Sequence, residues 1–265
     1  MNPLTWDWIA GFYQAEGSVT GSVSAYHPQL LVCVKDAEAV ELLDSFWHEM
    51  FPNITTYKPS YMHHTTLGDS TSIHLQIHAY KNILPVIAQI YPRTLHNVRR
   101  NIEEWAKRFR ITLPSDQQPL TWDFVAGFWE GDGYISKAES PGSIYFGFVQ
   151  KEPEILESIL TFIGKGNIRR FKPDLSDYAH DLRVFDGRSN NNEISTTMLR
   201  HVRTQTCRSK ITEALKYDES ERSKYKEKYH ERSKKDWASK ADLREYLKNH
   251  PEVVTKYRTQ LQSST

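Results

Sequence analysis

Two carboxylates, Glu16 and Asp132, stand near the ends of the apolar segments IAGFYQAEG (9–17) and VAGFWEGDG (125–133), each followed at once by a glycine. A carboxylate in the last turn of a helix sits at the negative end of the helix dipole, and two of them brought together repel one another. Such an arrangement calls for cations. Mg2+ takes few protein carboxylates and fills its shell with waters and phosphate oxygens. Paired ions about 3.5–4 Å apart stabilise both the attacking and the leaving oxygen of a phosphoryl transfer. A lone Glu would read as a solvated helix end, whereas a matched pair reads as a place for divalent cations.

An internal repeat makes them a matched pair. Residues 3–20, PLTWDWIAGFYQAEGSVT, and 119–136, PLTWDFVAGFWEGDGYIS, agree at nine of eighteen positions at an offset of 116 (119 − 3). About one identity is expected by chance. The replacements are mild: Trp8 by Phe124, Ile9 by Val125, Tyr13 by Trp129, Glu16 by Asp132. The same offset carries Lys35 onto Lys151 and Asp36 onto Glu152. Two units related by a pseudo-twofold axis follow, at 1–110 and 119–216, with 111–118 (ITLPSDQQ) as linker and 217–265 outside the repeat.

Each unit reads as helix, two strands, helix, two strands, helix, an α+β organisation. Thr5 and Thr121 are N-caps, Asp7 and Asp123 lie at the positive helix end, and Gly17 and Gly133 terminate the helices. Ser18, Thr20, Ser22 and Ser24 alternate with Val19, Gly21 and Val23. Later, Ser72, His74, Gln76 and His78 alternate with Ile73, Leu75 and Ile77. Period-two patterns of this kind predict antiparallel strands with one apolar and one polar face. Helical patterns cover 37–51, 81–90, 95–109, 154–163 and 193–216. Ala10, Gly11 and Ala15, and likewise Ala126, Gly127 and Gly131, are small enough to let two helices approach closely. Phe12, Tyr13, Phe128 and Trp129 then face the core of each half.

The two cysteines, Cys33 and Cys207, suit neither a disulfide framework nor a Cys-based zinc site, so free thiols in a reducing compartment are expected. The N-terminal segment lacks a basic stretch followed by an apolar one, and no run of 18 apolar residues occurs; a soluble intracellular protein without a membrane partner is expected. A net charge of +1 leaves any nucleic-acid surface to local clustering. The 7 Trp and 14 Tyr suit a packed core and argue against disorder.

The paired nonapeptides resemble the signature of the LAGLIDADG homing endonucleases in their single-chain, two-motif form. One nonapeptide would be a weak signal; two in register within a tandem repeat are a strong one, and the resemblance extends over about the first 215 residues. It implies two αββαββα units that form a DNA-binding saddle of antiparallel sheets. It also implies a monomer that makes a double-strand break with short 3′ overhangs in a long, asymmetric DNA target. In such proteins the acid and the carbonyl before it bind metal, which here means Glu16 and Asp132 with the carbonyls of Ala15 and Gly131. Two or more Mg2+ ions would be shared between the halves, with Ca2+ or Mn2+ as substitutes. Gln14 replaces the first acid of the signature while Glu130 keeps one, at a position that is usually not a ligand. Lys35 and Lys151, with Gln150 beside the latter and Val34 at the matching place, lie where the family has groups near the scissile phosphates.

The polar strand faces are the expected readers of DNA. In the first half they are Ser18, Thr20, Ser22, Ser24, Tyr26, Lys58, His74, Gln76 and His78. In the second they are Tyr134, Ser136, Lys137, Arg169, Arg170, Lys172, Arg183 and Arg188. Residues 217–265, with 12 Lys and Arg against 9 Asp and Glu, are expected to form a helical extension that either touches the DNA backbone or packs as scaffold. Two rival readings keep the fold: an intron-encoded maturase with intron RNA as partner, and a DNA-binding protein that does not cut. Retention of both acids favours the nuclease.

Overall fold

The computed structural model describes residues 3–22, 27–65, 68–137, 143–171, 179–187, 192–216 and 245. The described residues from 3 to 216 belong to one compact unit. The expected C-terminal extension lies outside the described residues apart from Glu245.

The first half runs α1 (Trp6–Glu16), β1 (Gly17–Ser22), β2 (His27–Val34), α2 (Ala37–Met50), β3 (Thr56–Tyr57), β4 (Ser60–Thr65), β5 (Gly68–His78), α3 (Tyr80–Ile90) and α4 (His96–Phe109). The second runs α5 (Trp122–Asp132), β6 (Gly133–Lys137), β7 (Ser143–Gln150), α6 (Pro153–Ile163), β8 (Asn167–Phe171), β9 (Ala179–Gly187) and α7 (Glu193–His201), then α8, described over 205–216. Both sheets are antiparallel, ordered β1-β2-β5-β3 with β4 also on β5, and β6-β7-β9-β8. Two four-stranded sheets were the expectation from the repeat. The first has five strands because its last place is shared: β3 meets β5 at 76–77 and β4 meets it over 68–73. Pro59, which cannot donate to a ladder, lies at the break.

Alternation gives each sheet a core face and an open one. Leu30, Val32, Leu75 and Ile77 are buried under the first, and Phe146, Phe148, Leu182 and Val184 under the second. α1 and α5 lie between, with Trp8–Tyr13 and Phe124–Trp129 buried. A Cβ at Gly11 would strike the carbonyl oxygen of Phe124, and one at Gly127 would strike that of Trp8. The offset of the repeat relates these two contacts, so the helices cross backbone to backbone on the pseudo-twofold axis.

The N-caps form as expected: the Trp8 and Phe124 amides each donate to the threonine three residues earlier at 3.2 Å. Those hydroxyls then do something the local sequence does not announce. Thr5 Oγ1 donates to Asp123 Oδ2 at 2.8 Å, and Thr121 Oγ1 donates to Asp7 Oδ2 at 2.9 Å. Asp7 and Asp123 thus join the halves as well as facing the helix dipole.

The helix expected over 193–216 is broken at 202–204. The cause is Glu130, whose carboxylate accepts from the backbone N–H of Arg203 at 2.6 Å and of Thr204 at 2.9 Å, and from Thr204 Oγ1 at 2.6 Å. Thr204 in turn accepts from the Cys207 amide and starts α8. Gln14, its counterpart in the repeat, plays the same part before α4, bonding both the N–H and the C=O of Leu95. The linker is laid on the surface: Ile111 and Leu113 pack partly buried against the core, and the Gln118 amide donates to the Pro92 carbonyl at 2.7 Å. Cys33 and Cys207 are free thiols. Among the described residues no helix is long and apolar enough to cross a membrane.

Candidate active site

The close crossing of α1 and α5 brings their C-terminal ends together, and with them the two acids. A Cβ at Gly131 would lie 2.5 Å from Ala15 Cβ and 3.0 Å from Glu16 Cγ, so the Glu16 side chain occupies space that glycine leaves. Burial, then the charge of Asp132, pushes the Glu16 carboxyl up to about 7 against the opposing pull of Lys35. Burial pushes Asp132 up to about 6 against a hydrogen bond from the Gln150 amide. Both carboxyls are therefore desolvated at a place where the helix dipole also disfavours negative charge. A divalent cation would relieve all of these costs at once.

The donors present fit a hard cation. Two carboxylates are joined by terminal helix carbonyls, including those of Ala15 and Gly131, which have no intrahelical partner. Among the described residues no group of three or more His, Cys, Asp and Glu could hold a metal alone. The remaining ligands would be water and phosphate, as Mg2+ prefers. A cavity of about 630 Å3 opens beside Glu16, lined also by Lys35, Asp36, Ser72, Gly131 and Lys210.

The expected residues around the acids fare differently. Gln150 reaches Asp132 directly. Lys35 is exposed and near enough to act on Glu16. Lys151 is exposed, and its carbonyl meets His180 Nδ1 at 2.9 Å. Val34, at the place matching Gln150, is buried in the core, so the two acids have unlike neighbours.

No protein-family model and no curated protein matches this chain. Solved structures do. I-GzeII, a LAGLIDADG homing endonuclease in complex with DNA target, matches with a TM-score of 0.56 and 14% identity over 84% of this chain and 92% of that one. I-AabMI, a LAGLIDADG meganuclease bound to uncleaved DNA, matches with a TM-score of 0.54 and 10% identity over 83% and 92%. I-SmaMI, bound to cleaved DNA, matches with a TM-score of 0.52 and 18% identity over 84% and 92%. This chain has the LAGLIDADG homing-endonuclease fold.

Within that LAGLIDADG fold, the open face of the first sheet carries Ser18, Thr20, His74, Gln76 and His78, as expected. Tyr57 packs edge-on to His78 at 5.0 Å and Tyr61 packs on His74 at 4.4 Å. Lys58 is not on this face: its ammonium is held by Asp44 at 2.9 Å and Glu41 at 3.0 Å on α2. Their opposite charges draw it to the helix side.

On the second sheet Tyr134, Ser136, Arg169 and Arg183 share the open face, while Arg170 alternates to the side of Ile168 and Leu182. Ser22 and Lys137 end β1 and β6. Ser24, Tyr26, Lys172 and Arg188 lie outside the described residues. The sequence reading missed Asp181, which alternation places on the open face and which is only 1% exposed. An acid one pleat from two core residues, Leu182 and Val184, was the available signal.

Proposed function

We propose that this protein is a site-specific DNA endonuclease that cuts both strands of a long, asymmetric duplex with the help of divalent metal ions, leaving short 3′ overhangs. The observation that carries the reading is the meeting of Glu16 and Asp132 at the ends of two crossed helices, where burial raises both carboxyls. Bound Mg2+ would polarise the scissile phosphates and supply the hydrolytic water in reactive form.

The chain's own residues do the rest. Glu16 and Asp132, with the carbonyls of Ala15 and Gly131, hold the ions. Gln150 orients the Asp132 carboxylate, and Lys35 and Lys151 offset charge that develops on phosphate. The open sheet faces lie along the DNA grooves on either side of the acids. Cutting across a narrow groove requires bending there, so the central base pairs are chosen by deformability. A monomer with unlike halves suits an unlike pair of half-sites.

The test is selection of cleaved duplexes from a randomised library in Mg2+. One long consensus site, cut on both strands, is expected. Enrichment without cutting would replace the nuclease reading with that of a DNA-binding protein.

A further inference from the structure

A buried carboxylate is out of place on a surface that meets a polyanion, and Asp181 is one. Its side chain is fully engaged: the Tyr134 hydroxyl lies 2.9 Å from both carboxylate oxygens, Arg183 Nε 2.8 Å from Oδ2 and Arg169 Nε 3.1 Å from the same oxygen. The cover is provided by Tyr134, whose ring lies across Gly147 so closely that a Cβ there would collide with it. Arg183 is fixed a second time by stacking, its guanidinium 4.4 Å from the centre of the Tyr145 ring, and Tyr145 meets Tyr134 edge-on at 5.9 Å.

We propose that Asp181 is a positioning residue for base recognition: it holds Arg169 and Arg183 by Nε so that their terminal amino groups stand ready for guanine in the half-site under the second sheet. The inference rests on the DNA binding in the proposed function for the identity of its ligand, and not on cleavage. Guanine O6 and N7 take two parallel donors from one planar guanidinium. A guanidinium anchored at Nε keeps its terminal donors for that purpose and loses its rotamer freedom on folding rather than on binding. Two arginines against one carboxylate leave the cluster with one net positive charge.

The rest of the protein gives the cluster its place. The strands of the first sheet, β1 to β5, contain no Lys or Arg, whereas β8 and β9 carry Arg169, Arg170 and Arg183. Guanine discrimination by arginine is thus confined, among the described strands, to the second half-site.

The experiment compares full-length wild type, Asp181→Asn, Arg169→Lys and Arg183→Lys by selection of bound duplexes from a randomised library in Ca2+. Cleavage in Mg2+ and thermal unfolding are measured alongside. Wild type is expected to prefer guanine at one or two neighbouring positions of one half-site. Asp181→Asn lowers that preference by about tenfold, leaves the other positions unchanged, and binds random-sequence DNA more tightly because a negative charge is gone. A purely structural role would instead weaken every position alike. The lysine variants keep the charge but not the fork, and at least one flattens the same positions. An unchanged or uniformly weakened profile in folded Asp181→Asn overturns the proposal; if that variant fails to fold, unchanged profiles in both lysine variants do so. Wild type that binds selectively but does not cut overturns the nuclease reading and leaves this one standing. No selective binding at all overturns both.

Discussion

At the scale of single residues the proposed chemistry rests on the two acids, whose burial sets them apart from ordinary surface carboxylates. Asp132→Asn is expected to abolish double-strand cleavage while DNA binding in Ca2+ persists; normal cleavage by that variant would remove Asp132 from the mechanism. Protonation gives a second test. Burial raises Glu16 to about 7 and Asp132 to about 6, from 4.5 and 3.8. The native state therefore binds more protons than the unfolded chain across that window, and metal-free stability falls as pH rises through it. A cation that binds the ionised pair restores stability above the window and adds little below it. Thermal unfolding with and without Ca2+ should show a metal-dependent rise at pH 8 that shrinks at pH 5. A rise independent of pH would place the metal elsewhere. Both acids were legible in the sequence because the repeat matched them. The role of Glu130 was not: its four partners, Trp8 and the 203–204 backbone and hydroxyl, are 73 to 122 residues away.

At the scale of elements, the crossing of α1 and α5 sets how far apart the acids stand. Gly127→Ala would force a methyl group against the Trp8 carbonyl, deep in the core, where overpacking costs about 1–3 kcal/mol or more. Lowered denaturation midpoints together with slower single-turnover cleavage at saturating DNA are expected; unchanged cleavage would mean that the spacing of the helices does not limit the reaction. The first helix of each half was readable to the residue, because threonine caps and terminal glycines are local signals. The break between α7 and α8 was not readable, since nothing in the run 193–216 opposes a helix; the break is imposed by a distant carboxylate. The five-stranded first sheet escaped for a related reason. Pairing of two short strands with one long one depends on register, which a polar-apolar pattern constrains only loosely where the strand is exposed.

At the scale of the whole molecule, the halves are alike in backbone and unlike in equipment. Glu16 has Lys35 beside it and Val34 buried, whereas Asp132 has Gln150. The two strands of a target should therefore be cut at unequal rates, and a supercoiled plasmid with one site should pass through a nicked form. Gln150→Ala should lengthen the life of that form, by about tenfold if the amide orients a metal ligand. Simultaneous cutting of both strands by that variant would refute the assignment. The crossed caps give the molecule one further property. Each half brings its own threonine but borrows its neighbour's aspartate, through Thr5 with Asp123 and Thr121 with Asp7. Grafting one half onto a foreign partner would then succeed only when the newcomer offers a hydrogen-bond acceptor at the borrowed place, so two amino acids per side act as the coupling that any chimaera must reproduce.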